Sequence, residues 1–340
     1  KYLVLTTKHH DGFCLWNTKY TDYNIMNTPF RRDVTRELAD ACRKHGIMFC
    51  AYYSIADWYH PDYPMGSPRG RTKKPNPNMD RYFLFMKNQL TELLTNYGPL
   101  GVLWFDGEWG EAWTTERGIE LYEYLKQLQP SLIINNRISK ARKGIEGVST
   151  PGQFAGDFDT PEQRIGAFQM QRPWETCMTL GTQWAWKPDD KIKSLTECLQ
   201  ALVRTAGGDG NFLFNVGPMP TGEIEPRQAE RLKEMGAWLA KHGNAIYGTR
   251  GGPYKPARHV VSTRKDNKVF LHILAWPEQT LTLPALPAKL LRASPGVQQT
   301  DAGLAITVPA EKRDPIDTII TLELDRPAIE LEPISIAPHQ

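Results

Sequence analysis

One strand-like run of the chain is apolar along its length and ends in a carboxylate. This run, Leu100 to Asp106, is followed directly by Gly107 and Glu108. A carboxylate at the end of a buried strand is costly to desolvate unless it has a partner or a task. Asp106 could cap the next helix or pair with Arg137, or it could attack the anomeric carbon of a sugar. In the last case a second carboxyl group, about 5–5.5 Å away, must protonate the leaving oxygen.

Several acidic residues are candidates for this second carboxyl group, and their positions alone do not choose among them. Glu162 lies in a loop, residues 156–163, whereas Glu175 stands at the start of a predicted strand. Either glutamate could instead be an ordinary solvated or salt-bridged residue, and Glu175 could be a buried partner of Arg137 or His10. The full set of candidates is Glu108, Glu111, Asp157, Asp159, Glu162 and Glu175.

Two adjacent histidines, His9 and His10, follow the first predicted strand. Neighbouring side chains on a strand point to opposite faces, so at most one histidine faces a site at the strand end unless the chain bends there. No His-x-x-x-His or Cys-x-x-Cys spacing accompanies the pair, which disfavours a metal site. The other interpretations are a buried, hydrogen-bonded histidine with a supporting neighbour, or a pair that binds sugar hydroxyls.

Tryptophan is concentrated in the first 186 residues, which hold eight of the ten tryptophans, mostly in loops or at strand ends. Aromatic faces can stack on the apolar faces of sugar rings and can shape a pocket for a methyl group. Most aromatic residues in a domain of this size belong to the core, so we expect only a few of the eight to contact ligand. They are Trp16, Trp58, Trp104, Trp109, Trp113, Trp174, Trp184 and Trp186.

These residues are distributed among alternating strand-like and helix-like segments, the pattern of βα units around a parallel sheet. The predicted strands are Tyr2–Thr7, Ile47–Ser54, Leu100–Asp106, Leu132–Asn136, Thr176–Leu180 and Asn211–Val216. The predicted helices are Val34–His45, Met79–Asn96, Arg117–Leu128, Ile192–Thr205 and Pro226–His242. The fold prediction is an α/β chain with a (β/α)8-like, TIM-type barrel. Because a closed barrel needs eight units and six are counted, the prediction places two units upstream of Lys1.

A different pattern follows Gly248 and predicts a second domain. Gly251-Gly252-Pro253 interrupts the βα alternation, and short strand-like runs separated by turn residues come after it. Such spacing favours a small antiparallel β-domain. The predicted domains are therefore residues 1–248, a barrel without its first strand units, and residues 249–340. The predicted strands of the second domain are Val269–Leu274, Thr280–Leu283, Leu304–Val308 and Thr318–Leu324.

Composition narrows the range of partners. Lys and Arg total 41 against 38 Asp and Glu, and the basic residues are scattered, which argues against a nucleic-acid partner. No apolar run approaches the roughly 20 residues needed to span a bilayer, so no membrane partner is predicted. The five cysteines are widely spaced in apolar or helical contexts, which indicates buried thiols and not a disulfide framework. A homo-oligomer stays open.

A set of collinear motifs runs from Lys1 to about Gly248: KYLVLTTKHHDGFCLW, TPFRRD, FCAYYS, GVLWFDG, NNR, FDTPEQ, WETCMTL, GGDGNFLFNVGP and HGNAIYGT. With these motifs the chain resembles the α-L-fucosidases of glycoside hydrolase family 29. The resemblance implies a (β/α) barrel followed by a C-terminal β-sandwich, and a retaining mechanism on the terminal fucosyl residue of a fucosylated glycan. It implies no metal or other cofactor, and a periplasmic, secreted or lysosomal location.

The resemblance also implies roles for individual residues. Asp106 matches the family nucleophile, and Glu162 aligns with the acid/base glutamate of characterised bacterial members, with Glu175 as second choice. The predicted substrate-binding residues are His9, His10, Trp16, Tyr53, Trp58, Trp104, Arg137 and Trp184.

Two departures from the family pattern bear on the pocket. The chain begins after the family's His-Trp-Gly segment, and the usual Ser-Trp-Gly-Tyr is replaced by residues 183–186, Gln-Trp-Ala-Trp, on the expected aglycone side. Two rival functions follow from the same sequence. One is a retaining hydrolase for another sugar, such as a galactoside. The other is a non-catalytic fucose-binding protein, which the two uncounted barrel units would favour.

Overall fold

The structure is a computed structural model that describes residues 1–66 and 72–336. It divides the chain into two compact units, residues 1–160 and residues 161–340. The mixed α/β class and the antiparallel strands predicted for the C-terminal part are both confirmed.

The first unit is built on a parallel sheet. Its strands are β1 (Tyr2–Lys8), β2 (Met48–Ser54), β3 (Val102–Asp106) and β4 (Ile133–Ile134). Its helices are α1 (Val34–Lys44), α2 (Met79–Asn96) and α3 (Thr115–Leu128). The strands lie in the order β1-β2-β3-β4 with all pairs parallel. Their carboxyl ends therefore meet at one edge, where polar side chains can converge.

Side-chain caps fix where the helices of this unit begin. The side chains of Asp33, Asn78 and Thr114 each accept hydrogen bonds from backbone N–H groups in the first turn of α1, α2 and α3. These groups have no partner inside a helix, so such caps stabilise the helix start. The apolar faces of the helices bury against the sheet in one continuous core.

The register between β2 and β3 sets which side chains share a face of the sheet. Tyr52 lies opposite Trp104, and Ser54 lies opposite Asp106. Because side chains alternate along a strand, these four residues point to one face and Tyr53 points to the other. The pairing of β1 with β2 slips between Thr6 and Lys8, as in a β-bulge.

The second unit begins with a smaller parallel pair. Strands β5 (Glu175–Thr179) and β6 (Asn211–Asn215) pair in parallel. Helix α4 (Leu195–Gly207) follows β5, and helix α5 (Pro226–His242) follows β6. A reciprocal capping box between Ser194 and Glu197 starts α4, and Pro226 occupies the first turn of α5.

The rest of this unit consists of two antiparallel sheets. The strands are β7 (Arg250–Gly251), β8 (Val260–Lys265), β9 (Lys268–Ile273), β10 (Thr280–Leu283), β11 (Leu290–Ala293), β12 (Val297–Thr300), β13 (Gly303–Thr307) and β14 (Thr318–Leu324). One sheet has the order β11-β14-β9-β8-β7 and the other has the order β10-β13-β12. Apolar side chains from both sheets form a common core. The four strands predicted here are present, and β7, β8, β11 and β12 were not predicted.

The six parallel strands do not form one continuous sheet. Within residues 1–66 and 72–336 they form a four-stranded and a two-stranded sheet, so no closed barrel is observed in the described part of the chain. Among the same residues, no helix has the length and apolar character required to cross a membrane.

Candidate active site

Asp106 lies at the carboxyl end of β3, where two side chains donate hydrogen bonds to it and a third lies beside it. Its Oδ1 accepts from Arg137 Nη1 at 2.8 Å, and its Oδ2 accepts from the Tyr52 hydroxyl at 2.9 Å. His10 Nε2 is 3.6 Å from the same Oδ2. Burial would raise the pKa of Asp106, but the Arg137 charge and the donated hydrogen bonds outweigh it and hold this pKa below its ordinary value. The result is an ionised carboxylate that is still 16 % exposed.

Tyr52, and not the predicted Tyr53, is the tyrosine that contacts Asp106. Tyr53 is fully buried on the opposite face of β2, where its hydroxyl donates to Gln89 at 2.7 Å and accepts from Lys8 at 2.9 Å. The prediction chose the wrong member of the pair because the face of each residue depends on the strand register. Burial and the Asp106 charge raise the pKa of Tyr52, so its hydroxyl stays protonated and able to donate.

The hydrogen bonds of His10 define its tautomer. The Ser54 hydroxyl donates its single proton to the Ala56 carbonyl at 2.6 Å, so it can only accept from His10 Nδ1, 2.5 Å away. Burial lowers the pKa of His10 to about 4, against the pull of Asp106, so the ring is neutral near pH 7. Its Nε2 is then an acceptor beside the Oδ2 of Asp106. A ligand hydroxyl could donate its proton to this nitrogen.

The chain bends directly after β1 and brings both histidines to the same cluster. Gly12 N donates to the His9 carbonyl, which closes a turn, and the two imidazole rings lie 4.1 Å apart. His9 stacks on Tyr52 with ring centroids 5.5 Å apart, and Tyr52 stacks on Trp104 at 5.6 Å. His9, His10 and Trp104, which are predicted to bind substrate, therefore lie in one cluster with Tyr52 and Asp106.

Arg137 also belongs to the cluster around Asp106 and lies in a short 3₁₀ turn after β4. Its guanidinium lies over the Trp104 ring, 4.5 Å from the centroid, and its Nε donates to Thr160 Oγ1 at 3.1 Å. Thr160 in turn donates to the Asn136 side chain at 2.8 Å. Because the guanidinium is held on three sides, it presents a fixed positive charge to Asp106.

Trp58 forms the other side of His10. Its backbone N–H donates to the His10 carbonyl at 2.7 Å, and the two rings are 5.2 Å apart. Trp109, which the sequence analysis did not place in the site, meets His10 edge-on at 5.7 Å and is 45 % exposed. Its signal was its position three residues after Asp106.

The candidate acidic residues of the first unit differ in their surroundings. Asp157 accepts from Tyr122 and the Ile134 backbone, and Asp159 accepts from Ser149, so both have structural partners. Glu111 is exposed. Glu108 is buried beside Asp106 and Arg142, with its Oε1 3.2 Å from Arg142 Nη1. Burial and the charge of Asp106 raise the pKa of Glu108.

Glu162 and Glu175 belong to the second unit and have different positions on its parallel pair. Glu175 is the first residue of β5 and is 4 % exposed, whereas Glu162 is half-buried in a segment that runs beside β5, opposite Cys177. Reacting groups of βα enzymes lie at the carboxyl ends of strands. The amino-terminal position of Glu175 therefore disfavours it as a reacting group.

Two further predicted residues lie apart from the Asp106 cluster. Trp16 is fully buried in the core of the first unit, where its Nε1 donates to Glu92 at 3.1 Å. A fully buried Trp16 cannot contact a ligand, so the prediction that it binds substrate is wrong. Trp184 lies in a loop of the second unit and is 41 % exposed. In residues 1–66 and 72–336, no three His, Cys, Asp or Glu side chains are grouped so as to hold a metal ion.

An ionised, partly open carboxylate within a wall of aromatic rings and hydrogen-bonding groups is typical of a carbohydrate-processing pocket. The comparisons with known proteins agree. The family model described as "Alpha-L-fucosidase" matches residues 1–244. Tissue α-L-fucosidase of Macaca fascicularis is 27 % identical over 332 residues, covering 91 % of this chain and 68 % of the relative. Plasma α-L-fucosidase of Homo sapiens is 29 % identical over 307 residues, covering 86 % and 63 %.

Solved structures are also similar. Isoenzyme 1 of the α-L-fucosidase from Paenibacillus thiaminolyticus has a TM-score of 0.83 and 35 % identity, covering 96 % of this chain and 83 % of its own. The family 29 enzyme of Bacteroides thetaiotaomicron, trapped as a covalent intermediate with 2-fluoro-fucosyl fluoride, has a TM-score of 0.84 and 28 % identity, covering 95 % and 78 %. The chain belongs to the α-L-fucosidase family of glycoside hydrolases. It spans 59 % of the human tissue enzyme and 63 % of the human plasma enzyme.

Proposed function

We propose that the protein is a retaining, exo-acting α-L-fucosidase that removes terminal α-L-fucosyl residues from oligosaccharides or glycoconjugates by double displacement. The observation that carries the proposal is Asp106, an ionised carboxylate that remains partly open although Arg137 and Tyr52 hold it at the end of β3. A carboxylate kept ionised and aimed by fixed donors is suited to nucleophilic attack. The trapped covalent intermediate of the Bacteroides relative supports the same chemistry.

In the first step an Asp106 oxygen attacks the anomeric carbon while the bond from that carbon to the leaving oxygen breaks. The carboxyl of Glu162 gives its proton to the leaving oxygen, and a fucosyl-enzyme ester results. In the second step a water molecule gives a proton to Glu162 and attacks the anomeric carbon, which releases Asp106. Two inversions at one carbon give a product with the configuration of the substrate.

The other residues of the cluster are proposed to bind the sugar. The neutral His10 accepts from a ring hydroxyl through Nε2, and His9 contributes a second polar group. Trp58 and Trp104 supply apolar surface, and Arg137 fixes the charge and position of Asp106. We add Tyr52 to this set on the basis of its contact with Asp106. Trp184 stays a proposed contact on the aglycone side.

The proposed domain arrangement follows the sequence pattern. Residues 1–248 are proposed to belong to a (β/α)8-like catalytic barrel, and residues 249–340 to a β-sandwich. The parallel strands of the first part and the two antiparallel sheets after Arg250 support this division. The proposed substrate is a fucosylated glycan.

The proposed function predicts both the sugar and the stereochemistry of the product. The protein should hydrolyse an aryl α-L-fucoside and release α-L-fucose first, as read by proton NMR before mutarotation. An aryl β-D-galactoside, which belongs to the opposite D series and carries a hydroxyl on C6, should be turned over far more slowly. β-L-Fucose as the first product would contradict double displacement, and faster galactoside turnover would favour another sugar. Binding of L-fucose without any turnover would favour a non-catalytic protein.

The assignment of Glu162 predicts a dependence on the leaving group. Glu162→Gln removes the proton donor, so kcat/KM for a fucosyl disaccharide should fall by about 10²- to 10⁴-fold. An activated dinitrophenyl fucoside needs no protonation to leave and should lose much less in the first step. Glu175→Gln is the matched control. Only Glu162→Gln should lose activity on the disaccharide and keep it on the dinitrophenyl fucoside. If Glu175→Gln showed this pattern instead, Glu175 would be the acid/base residue.

A further inference from the structure

A pair of stacked tyrosines lies beside the wall of the candidate site. Tyr59 stacks on Tyr23 with ring centroids 4.0 Å apart and an interplanar angle of 23°. Phe13 packs edge-on against Tyr23 at 5.1 Å. Tyr59 is nevertheless 58 % exposed, so one face of its ring is covered and the other is open to solvent. A single exposed aromatic residue needs no explanation, but one whose ring packs on a second aromatic residue is a candidate binding surface.

The tyrosine pair adjoins the Asp106 cluster through consecutive residues. Tyr59 follows Trp58, whose backbone donates to the His10 carbonyl and whose ring contacts the His10 ring. On the β1 side, a Cβ placed on Gly12 would meet the Cβ of Tyr59 at 3.0 Å and the Oδ1 of Asp57 at 2.3 Å. Only glycine fits this close approach, which brings the two loops against each other.

Hydrogen bonds to the buried Asp57 carboxylate fix the backbone at Tyr59. Asp57 Oδ1 accepts from the N–H groups of Tyr59 at 3.0 Å and His60 at 2.8 Å, and Asp57 Oδ2 accepts from the buried Lys8 at 3.0 Å. An aromatic ring held in this way loses little conformational entropy when a ligand stacks on it. The stacked pair of Tyr59 and Tyr23 is therefore ordered before a ligand binds.

An unpartnered donor belongs to Trp58, which contacts His10 and precedes Tyr59 in the chain. The Nε1 atom of Trp58 is buried and has no hydrogen-bond partner among the described residues. A buried N–H group without an acceptor is destabilising, so this atom is a place where an oxygen of a ligand would be favourable. Beside the acceptor His10 there is thus a free donor on Trp58, and the next residue in the chain, Tyr59, carries the exposed aromatic ring.

We propose that Tyr59, backed by Tyr23, is the stacking platform for the sugar ring next to the cleaved bond, so that the enzyme favours a hexopyranose aglycone. The inference rests on the proposed fucosidase function and adds a subsite to it. The open ring face receives the apolar face of the pyranose, and Trp58 Nε1 donates to one of its oxygens. A leaving group without a ring, such as fluoride, makes neither contact.

The test compares substrates with and without an aglycone ring in the same chain. α-L-Fucosyl fluoride has no ring to stack, whereas a fucosyl-hexose disaccharide does. In Tyr59→Ala, the ratio of kcat/KM for the disaccharide to that for the fluoride should fall about two- to tenfold. Tyr59→Trp, which keeps an aromatic face, should restore the ratio. Tyr20→Ala removes another exposed tyrosine, 44 % exposed, and is the matched control.

Three results would overturn the subsite. The ratio could stay unchanged in Tyr59→Ala, it could fall equally in Tyr20→Ala, or the unchanged enzyme could hydrolyse the fluoride but no disaccharide. Failure of the fucosidase function itself gives a different result, because the unchanged enzyme would then not hydrolyse fucosyl fluoride. Circular dichroism and Tm of each variant separate a lost subsite from a lost fold.

Discussion

Replacing Asp106 by glycine is expected to lower kcat for an aryl α-L-fucoside by a factor on the order of 10⁴, the scale on which removal of one member of a catalytic set acts. The substitution removes the only protein group that forms a bond to the anomeric carbon in the proposed mechanism. Added azide should restore part of the turnover, because a small anion can occupy the vacated space beside Arg137 Nη1. The product should be β-L-fucosyl azide, since azide attacks from the face that Asp106 used.

Asp106→Asn is the matched control for this experiment. The amide keeps the volume of the carboxylate and leaves no room for azide. Its oxygen can still accept from Arg137, and its NH2 group can donate to the Tyr52 hydroxyl, so the fold should be preserved. We expect it to be equally inactive but not rescued. A glycine variant that retains most of its activity, or gives the α-azide, would exclude Asp106 as the nucleophile. Thermal unfolding of both variants shows whether the unpaired Arg137 destabilises the protein.

The residues that sequence analysis placed well are those with a strong local signal. An apolar run that ends in a carboxylate marks Asp106 without knowledge of any neighbour, and the alternation of strands and helices then puts Arg137 near it. The helices Met79–Asn96 and Pro226–His242 match their predicted bounds, because Asn78 caps the first, Pro226 starts the second and a helical apolar period runs through each.

The errors arise where side-chain direction depends on pairing with another strand. Tyr52 and Tyr53 are neighbours of the same type, and only the register against β3 distinguishes the one that faces Asp106. The bulge after Thr6 similarly turns Lys8 to the Tyr53 side and permits both histidines to reach the site. A sequence window contains no information about such slips.

The missed strands of the C-terminal part have a related cause. Val260–Lys265 carries apolar, hydroxyl and basic residues in a row, and its buried Arg264 has no place in an alternating pattern. In the fold, the Arg264 guanidinium donates to the backbone carbonyls of Gly251, Ala328 and Leu331. These hydrogen bonds compensate the cost of burying the arginine, although its type predicts an exposed position.

The buried Lys8–Asp57 pair supports the second large expected effect, which is on stability. Lys8 Nζ lies 3.0 Å from Asp57 Oδ2, and the two side chains are 0 % and 2 % exposed. Lys8→Met leaves the Asp57 carboxylate buried without its cation, which should cost about 3–5 kcal/mol of unfolding free energy. The double variant Lys8→Met/Asp57→Asn removes both charges and keeps an acceptor for the backbone of Tyr59 and His60, so it should regain most of the loss. Urea unfolding near pH 7 measures both differences.

The pH dependence separates this ion pair from simple packing. Burial opposes both charges, yet Asp57 raises the pKa of Lys8 and Lys8 lowers the pKa of Asp57. A lowered carboxyl pKa gives stability above the ordinary value of about 4 that is lost as pH falls through the folded-state pKa, and a raised lysine pKa gives stability that is kept up to about 10. The difference between wild type and Lys8→Met should therefore be largest between these limits and shrink in acid, where Asp57 takes up a proton. A difference independent of pH, or a double variant no more stable than Lys8→Met, would mean that the lysine stem stabilises this core by packing alone.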